Sequence, residues 1–131
     1  AADIVGFSQI QDRIYWDVPV TDYNLNASTT RVLHTLTVPM GLKILPIHIH
    51  SVDSVAISLF ASLVTDPDQP DTAPSSTVFT VLTRGDQQGN GVFIQTNTNT
   101  SAQIASRQTS ASTWDIDGVT FGWIDPRGRN E

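Results

Sequence analysis

Two histidines in close succession are the residues of this chain best suited to binding a metal ion. His48 and His50 are separated by one residue, so on a strand their side chains point to the same face of the sheet. Two imidazoles on one face supply half of a tetrahedral zinc site. Asp53 could add an oxygen ligand, but the remaining histidine, His34, comes earlier in the chain. We therefore predict no metal ion and no cofactor. His48 and His50 are the candidate ligands if a metal binds, and otherwise they lie half-exposed on a sheet face or on a face between subunits.

A pair of carboxylates is the second arrangement that could carry chemistry. Asp115 and Asp117 share one face of a strand, as the acid and base of a glycosidase could. The Asp117-Gly118 dipeptide is also a typical hairpin turn, which accounts for Asp117 without catalysis. The chain has no cysteine and contains neither G-x-S-x-G nor H-E-x-x-H. We predict no catalytic residues and a protein that is not an enzyme.

The composition indicates one all-β domain. Val, Ile and Thr make up 39 of the 131 residues, and β-branched side chains favour strands. Lys43 and Glu131 are the sole lysine and glutamate, so these two good helix formers are scarce. The formal net charge of -6 argues against nucleic acid as a partner. No apolar run is long enough to cross a membrane, and the Ala1-Ala2 start suits synthesis in a cytoplasm after removal of the initiator methionine.

Alternation of apolar and polar residues predicts where the strands lie. We expect a single antiparallel β-sandwich over residues 1–125, resembling a jelly roll of about eight strands, followed by a short tail at 126–131. The Val-Pro-Met-Gly turn at 38–41 should make the strands on either side of it neighbours. The predicted strands are 3–10, 12–18, 30–38, 42–51, 54–64, 77–84, 91–97, 102–108 and 114–124.

Three connections can be predicted from their turn residues. Asp117-Gly118 should close a hairpin between 114–116 and 119–121, and the glycine-rich segment 85–91 should close a second one. The segment 65–76 (TDPDQPDTAPSS) combines prolines and aspartates that exclude regular structure.

Candidate interface residues come from two polar parts of the chain. Residues 95–103 (QTNTNTSAQ) are polar on both faces and predict either a weakly registered edge strand or a surface that pairs with another chain. Asn97 and Asn99 are the candidates there. At the other end, Arg127 and Arg129 follow the last predicted strand and could reach an acidic surface as a short arm.

The three tryptophans allow two interpretations, packing in a core or an interface, or exposure for sugar binding. Trp16, Trp114 and Trp123 alternate with apolar neighbours, as core or interface residues do. Sugar-binding sandwiches instead expose such rings to stack on pyranoses. We favour packing for all three and add Trp123 to the interface candidates.

The chain resembles the small all-β virion proteins of tailed bacteriophages, in particular the capsid decoration or cement proteins. The turn at 38–41, the Thr/Asn/Gln-rich middle and the ending at 121–129 (FGWIDPRGR) carry this resemblance. It implies a non-enzymatic, jelly-roll-like dimer or trimer that sits on the outside of an icosahedral capsid and bridges capsid subunits. The implied partners are the major capsid protein and further copies of this chain, and the implied location is the virion, after synthesis in the host cytoplasm.

Two alternatives remain open at the level of sequence. One is a carbohydrate- or receptor-binding β-sandwich of a phage tail or fibre. The other is a cupin-like metalloenzyme that uses His48 and His50. The cupin pattern places a glycine before the H-x-H pair, a glutamate after it and a later histidine. Here Gly41 lies one position too far upstream, no glutamate follows, and His34 comes earlier.

Overall fold

The structure is a computed structural model that describes residues 6–54, 60–83, 89–111 and 114–125. The described residues form strands, turns and loops, with no helix. The strands are β1 (Phe7–Ile10), β2 (Arg13–Asn26), β3 (Val32–Thr35), β4 (Leu45–Ser54), β5 (Phe60–Thr65), β6 (Val81–Thr83), β7 (Gly89–Phe93), β8 (Gln103–Gln108) and β9 (Trp114–Ile124). The tail predicted at 126–131 lies outside these residues.

The strands form two antiparallel sheets that make a β-sandwich. One sheet has the order β1-β2-β9-β4-β7 and the other the order β3-β8-β5-β6. Strands pair from the outside of the sequence inwards, β2 with β9, β3 with β8, β4 with β7 and β5 with β6. This nested pairing of β2 to β9 is the arrangement of a rolled-up jelly roll, with β1 added at one edge. The predicted all-β sandwich with jelly-roll character is confirmed.

The turn at 38–41 has the predicted backbone but a different role. Gly41 takes a φ of 90°, the left-handed conformation that favours glycine. However, β3 belongs to the four-stranded sheet and β4 to the five-stranded sheet. The expectation that these two strands are neighbours is wrong, because the turn carries the chain from one sheet to the other.

The predicted hairpin at Asp117-Gly118 is also wrong. Strand β9 runs without interruption through both residues, and Gly118 lies opposite Tyr23 of β2 and His50 of β4. A Cβ atom on Gly118 would come within 2.1 Å of the Tyr23 ring. The glycine is therefore explained by the side chain that crosses over it, and not by a turn.

The second predicted hairpin does not form either. β6 lies in the four-stranded sheet, whereas β7 lies in the five-stranded sheet and pairs with β4. Gly89 and Gly91, expected in the loop, are part of β7, and residues 84–88 lie outside the described chain. The segment 66–80 joins β5 to β6 without a strand, as the prolines and aspartates of 65–76 predicted. The strand predicted at 77–84 is wrong over its first four residues, because β6 begins only at Val81.

The interior between the sheets holds two apolar clusters. The larger one contains Phe60, Ile104 and Ile116, all at most 1% exposed, together with Tyr23. The smaller one is formed by Ile14, Ile44 and Trp123 at one end of the sandwich. Polar side chains share the space around the larger cluster, and they form the candidate site.

Candidate functional site

All three histidines of the chain lie inside the sandwich. Strand alternation points His48 and His50 of β4 inward, where both are 0% exposed, and His34 of β3 faces them from the opposite sheet at 4% exposure. The prediction that His48 and His50 share a face holds, but the expectation of half-exposed side chains is wrong. That face is the interior, and polar groups buried there need hydrogen-bond partners.

Tyr23 brings the three imidazoles together. Its ring passes over Gly118, which leaves the necessary space on β9. The Tyr23 hydroxyl lies 3.1 Å from His48 Nε2 and 2.6 Å from His50 Nδ1. The same ring stacks on His34 with a centroid separation of 4.0 Å and an interplanar angle of 19°. One phenol thus contacts histidines from both sheets.

A β-bulge in β2 adds a carboxylate to this group. Thr21 lies opposite Val119 and Tyr23 opposite Gly118, so Asp22 is an extra residue with no partner of its own on β9. A bulge can redirect a side chain, and here Asp22 reaches Thr120 of β9. The Thr120 hydroxyl donates to Asp22 Oδ2 at 2.5 Å.

The loop after β3 completes the surroundings of this carboxylate. The Thr37 amide donates to Asp22 Oδ2 at 2.9 Å, and the Thr37 hydroxyl donates to Asp22 Oδ1 at 2.6 Å. Both carboxylate oxygens therefore accept hydrogen bonds from this chain.

The four-stranded sheet supplies the other end of the arrangement. Ser62 of β5 lies 2.7 Å from His50 Nε2, and Ser106 of β8 lies 2.6 Å from His34 Nε2. Gln108 Nε2 donates to both serine hydroxyls, at 3.0 and 3.1 Å. We call the following nine residues the histidine network: Asp22, Tyr23, His34, His48, His50, Ser62, Ser106, Gln108 and Thr120.

The proton positions at the Asp22 end follow from the partners. A carboxylate only accepts, so the single Thr120 proton is used on Asp22, and Thr120 accepts from His48 Nδ1 at 2.8 Å. His48 Nε2 then carries no proton and accepts from the Tyr23 hydroxyl. The Tyr23 oxygen is left to accept from His50 Nδ1.

The Gln108 end gives the same direction independently. The Ser28 amide can only donate, and its bond to Gln108 Oε1 at 2.8 Å leaves Nε2 as the donor to Ser62. Ser62 then uses its own proton on His50 Nε2. All donors between the two ends point the same way. Donation runs in the order Gln108, Ser62, His50, Tyr23, His48, Thr120, Asp22.

Burial keeps these imidazoles neutral. It lowers the pKa of His34 to about 4. It also lowers the pKa of His48 to about 4, where nearby Asp22 opposes the shift and His34 adds to it. Burial, and then the neighbouring His48 and His34, lower the pKa of His50 to about 3. Burial raises the pKa of the Tyr23 phenol, so it stays protonated. The one-way order of donors needs the same protonation states of His48, His50 and Tyr23.

The network is not arranged as a metal centre. Across the described parts of the chain, no three His, Cys, Asp or Glu side chains come together in a way that could hold a metal ion. Both ring nitrogens of His48 and of His50 have hydrogen-bond partners from this chain. Both histidines therefore belong to the histidine network.

The outer face of the same sheet has a different character. Ile49 lies opposite Phe93 on one side and opposite Val119 on the other. Phe93 is 56% exposed and its ring lies 6.0 Å from that of Phe121. These four side chains, the apolar patch, extend across β7, β4 and β9.

Three aspartates, the acidic patch, continue this face towards the start of β9. Asp53 lies directly opposite Asp115, and Asp117 follows two residues later on the same face. Burial, and then the charges of Asp115 and Asp53, raise the pKa of Asp117. None of the ion pairs among the described residues includes these three carboxylates.

The predicted interface residues lie in separate places. Trp123 is 8% exposed and packs against Trp16 at 5.1 Å, so its ring belongs to the core of this chain. Asn97 is exposed, whereas Asn99 uses its side chain within its own loop, where Oδ1 accepts from the Ser101 and Gln103 amides. Arg127 and Arg129, like the Trp114 side chain, lie outside the described part of the molecule.

The polar segment 95–103 is not the edge strand that its composition predicted. Only Gln103 belongs to a strand, β8. Thr98 is fully buried, and its amide donates to the Ile44 carbonyl at 2.8 Å. The segment is a loop, and several of its polar groups, among them those of Thr98 and Asn99, bond to the chain itself.

A small cavity lies at the end of β8, where Arg107, Gln108 and Thr109 meet Thr29, Ala73 and Pro74. Its volume is about 190 Å³, and Arg107 at its wall donates to Asp71 and to the Thr29 carbonyl. Ligand pockets usually measure roughly 300 to 1,000 Å³, so this cavity is small for an organic substrate.

No family model, curated protein or solved structure matches this chain. Within the described residues there is also no helix of the length and hydropathy needed to cross a bilayer. The features of this chain that bear on its function are the two faces of the five-stranded sheet.

The sequence identified His48 and His50 but not their partners. Tyr23 and Asp22 were hidden because the bulge that turns both of them inward is a property of pairing between distant strands. Gly118 was the available signal, since a glycine within a strand marks a close approach of another group. In the local sequence, however, the Asp117-Gly118 dipeptide favours a turn.

Proposed function

We propose that this protein is a non-enzymatic structural protein that decorates an icosahedral viral capsid and stabilises it by bridging capsid subunits. The apolar patch on the outer face of the five-stranded sheet carries the proposal. Phe93 and its neighbours expose aromatic and aliphatic surface on three adjacent strands, and contiguous exposed apolar surface is typical of protein-binding sites.

The fold supports this function by analogy. Jelly rolls occur in viral capsid proteins, in lectins and in cupins, so the fold alone does not choose among these functions. The placement of the polar groups favours a capsid protein over a cupin-like enzyme. The histidines, which a cupin-like enzyme would need for its metal, have partners within the chain.

Cosedimentation with capsid shells tests the proposal. We expect the protein to bind shells assembled from the major capsid protein of the virus that encodes it. Phe93→Ser should weaken this binding at least about tenfold, because aromatic side chains at the centre of an interface contribute most to affinity. Phe79→Ser is the matched control, since Phe79 is 42% exposed but precedes β6 of the other sheet.

A third variant separates two possible docking surfaces. Phe7 of β1 is 56% exposed, like Phe93, and also has an aromatic neighbour, Trp16 at 6.3 Å. If Phe7→Ser abolishes binding and Phe93→Ser does not, the protein docks through its β1 edge and not through the apolar patch. If the unmodified protein does not sediment with the shells, the capsid function itself is wrong.

Carbohydrate binding is the second candidate, and the outer face provides one observation for it. The Phe93 and Phe121 rings lie on the same face as the acidic patch, and sugar sites combine aromatic rings with polar groups. The described tryptophans do not add to such a site, since Trp123 is buried and Trp16 donates its indole proton to the Thr37 carbonyl. Millimolar binding to a panel of oligosaccharides, lost in Phe93→Ser, would favour this function over capsid decoration.

A further inference from the structure

The histidine network connects the two sheets, and its three histidines are groups that can take up a proton in acid. Asp22, Tyr23, His48, His50 and Thr120 come from the five-stranded sheet, and His34, Ser62, Ser106 and Gln108 from the other. Direct bonds cross the sandwich at His50 to Ser62, at 2.7 Å, and the Tyr23 ring stacks on His34. Any change that breaks these contacts loosens one sheet from the other.

A second proton on an imidazole does not fit the order of donors. His48 Nε2 and His50 Nε2 each accept a hydrogen bond, from Tyr23 and Ser62. A proton on either nitrogen would point at a hydroxyl that already donates towards it. The added charge would also be enclosed in the core, where both residues are 0% exposed.

The charged groups around the network do not compensate for three added charges. The charge of Asp22 of β2 acts on His48, but the oxygens of this carboxylate already accept hydrogen bonds from Thr37 and Thr120. Asp117 of β9 acts on Tyr23 from the outer face. The groups that β5 and β8 contribute to the network are Ser62, Ser106 and Gln108, which carry no charge.

We propose that the histidine network is an acid-sensitive latch, which holds the two sheets together at neutral pH and releases them cooperatively in mild acid. In the folded chain the three imidazoles stay neutral, whereas in the unfolded chain they accept protons below about pH 6.5. Unfolding therefore takes up three protons, and acid favours it. The latch operates in the isolated chain and does not depend on the capsid function.

The direction and size of the effect follow from proton linkage. The pKa values of the folded imidazoles lie below the unfolded value, so their contribution to stability is present above about pH 6.5 and is lost as the pH falls below it. With three protons, the unfolding equilibrium constant should rise about a thousandfold between pH 5.5 and 4.5.

Urea unfolding, followed by tryptophan fluorescence between pH 7.5 and 4.5, measures this proton uptake. We expect the thousandfold rise in the unmodified chain and about a hundredfold rise in His34→Phe, which keeps a ring against Tyr23 but removes one titrating group. Ile104→Val is the control, because Ile104 lies opposite His34 and is fully buried. It should lower stability but keep the thousandfold rise. A rise of tenfold or less in the unmodified chain overturns the latch.

Nuclear magnetic resonance of the folded chain provides a test that needs no variant. The imidazole signals should stay constant from pH 7.5 to 5.5, and His48 and His50 should both carry the proton on Nδ1. Histidines that titrate near pH 6.5 in the folded protein, or the opposite tautomer at either position, would contradict the latch.

Discussion

The inner and outer faces of the five-stranded sheet belong to the same strands, but the polar groups of the two faces differ in whether they have partners within the chain. On the inner face, His48, His50 and Thr120 each bond to partners within the chain. On the outer face, Asp53 and Asp115 lie opposite each other without an oppositely charged partner among the described residues. Buried polar groups must be satisfied internally, whereas exposed ones can be left for water or for another molecule.

The two faces also respond to acid in opposite directions. Protonation of the inner histidines costs stability, because their pKa values are lowered in the folded chain. Protonation of Asp117 relieves repulsion, because its pKa is raised, by burial first and then by Asp115 and Asp53. The inner face dominates, since its two buried histidines outweigh one partly exposed carboxylate.

The largest expected effect comes from filling the space that Gly118 leaves for Tyr23. In Gly118→Ala, the new Cβ atom would displace the Tyr23 ring and break its bonds to both histidines. We expect a loss of about 4 kcal/mol in the free energy of unfolding, measured with urea at pH 7.5.

A second glycine on the same sheet is the control for this change. In Gly89→Ala the nearest atom, the Val52 carbonyl oxygen, would lie at 3.7 Å, so we expect a change below about 1 kcal/mol. Equal losses in the two variants would mean that Gly118 has no special role beneath Tyr23.

Removal of the Tyr23 hydroxyl alone tests the inner face with a smaller expected loss of stability than Gly118→Ala. Tyr23→Phe keeps the ring but leaves His48 Nε2 and His50 Nδ1 without their shared partner. We expect a loss of about 2 kcal/mol in the free energy of unfolding, because unsatisfied buried groups are costly. Tyr15→Phe on the same strand, half-buried and outside the network, should change stability by less than about 0.5 kcal/mol. A loss of the same size in both variants would mean that the Tyr23 hydroxyl contributes no more to stability than a tyrosine hydroxyl outside the network.

The smallest effect concerns the outer face and has the opposite sign. Asp117→Asn removes one of three neighbouring negative charges and should stabilise the protein by about 0.5 kcal/mol at pH 7 and low salt. The gain should shrink in 1 M NaCl. Asp71→Asn should be neutral or slightly destabilising, since Asp71 pairs with Arg107 at 3.3 Å. A stabilisation that is independent of salt would show that charge repulsion is not its cause.

Most of the strands follow from local sequence patterns, and the errors occur where pairing between distant strands determines the structure. Alternation located most of the strands, including 102–108 against the observed Gln103–Gln108 and 114–124 against Trp114–Ile124. It ended the second strand at 18, whereas β2 continues to Asn26 and carries Asp22 and Tyr23 in its unpredicted part. Turn residues did not reveal which strands pair. The turn at 38–41 has hairpin chemistry, yet it joins strands of different sheets.

The candidate site was partly predictable for the same reason. The one-residue spacing put His48 and His50 on one face, but alternation alone does not say which face is the interior. Their partners Tyr23 and Thr120 are separated from them by tens of residues and meet them through pairing with β9. The apolar patch was missed because Phe93 and Phe121 become neighbours only once β7, β4 and β9 lie side by side.

The nested pairing of the strands has a consequence for how the chain reaches this structure. β9, the last of the described strands, lies between β2 and β4, in the middle of the five-stranded sheet. Contacts between residues far apart in sequence slow folding, into the range of milliseconds to seconds for comparable β proteins. During synthesis the sheet that carries both faces cannot close until β9 has left the ribosome. Until then, the growing chain exposes the inner edges of β2 and β4.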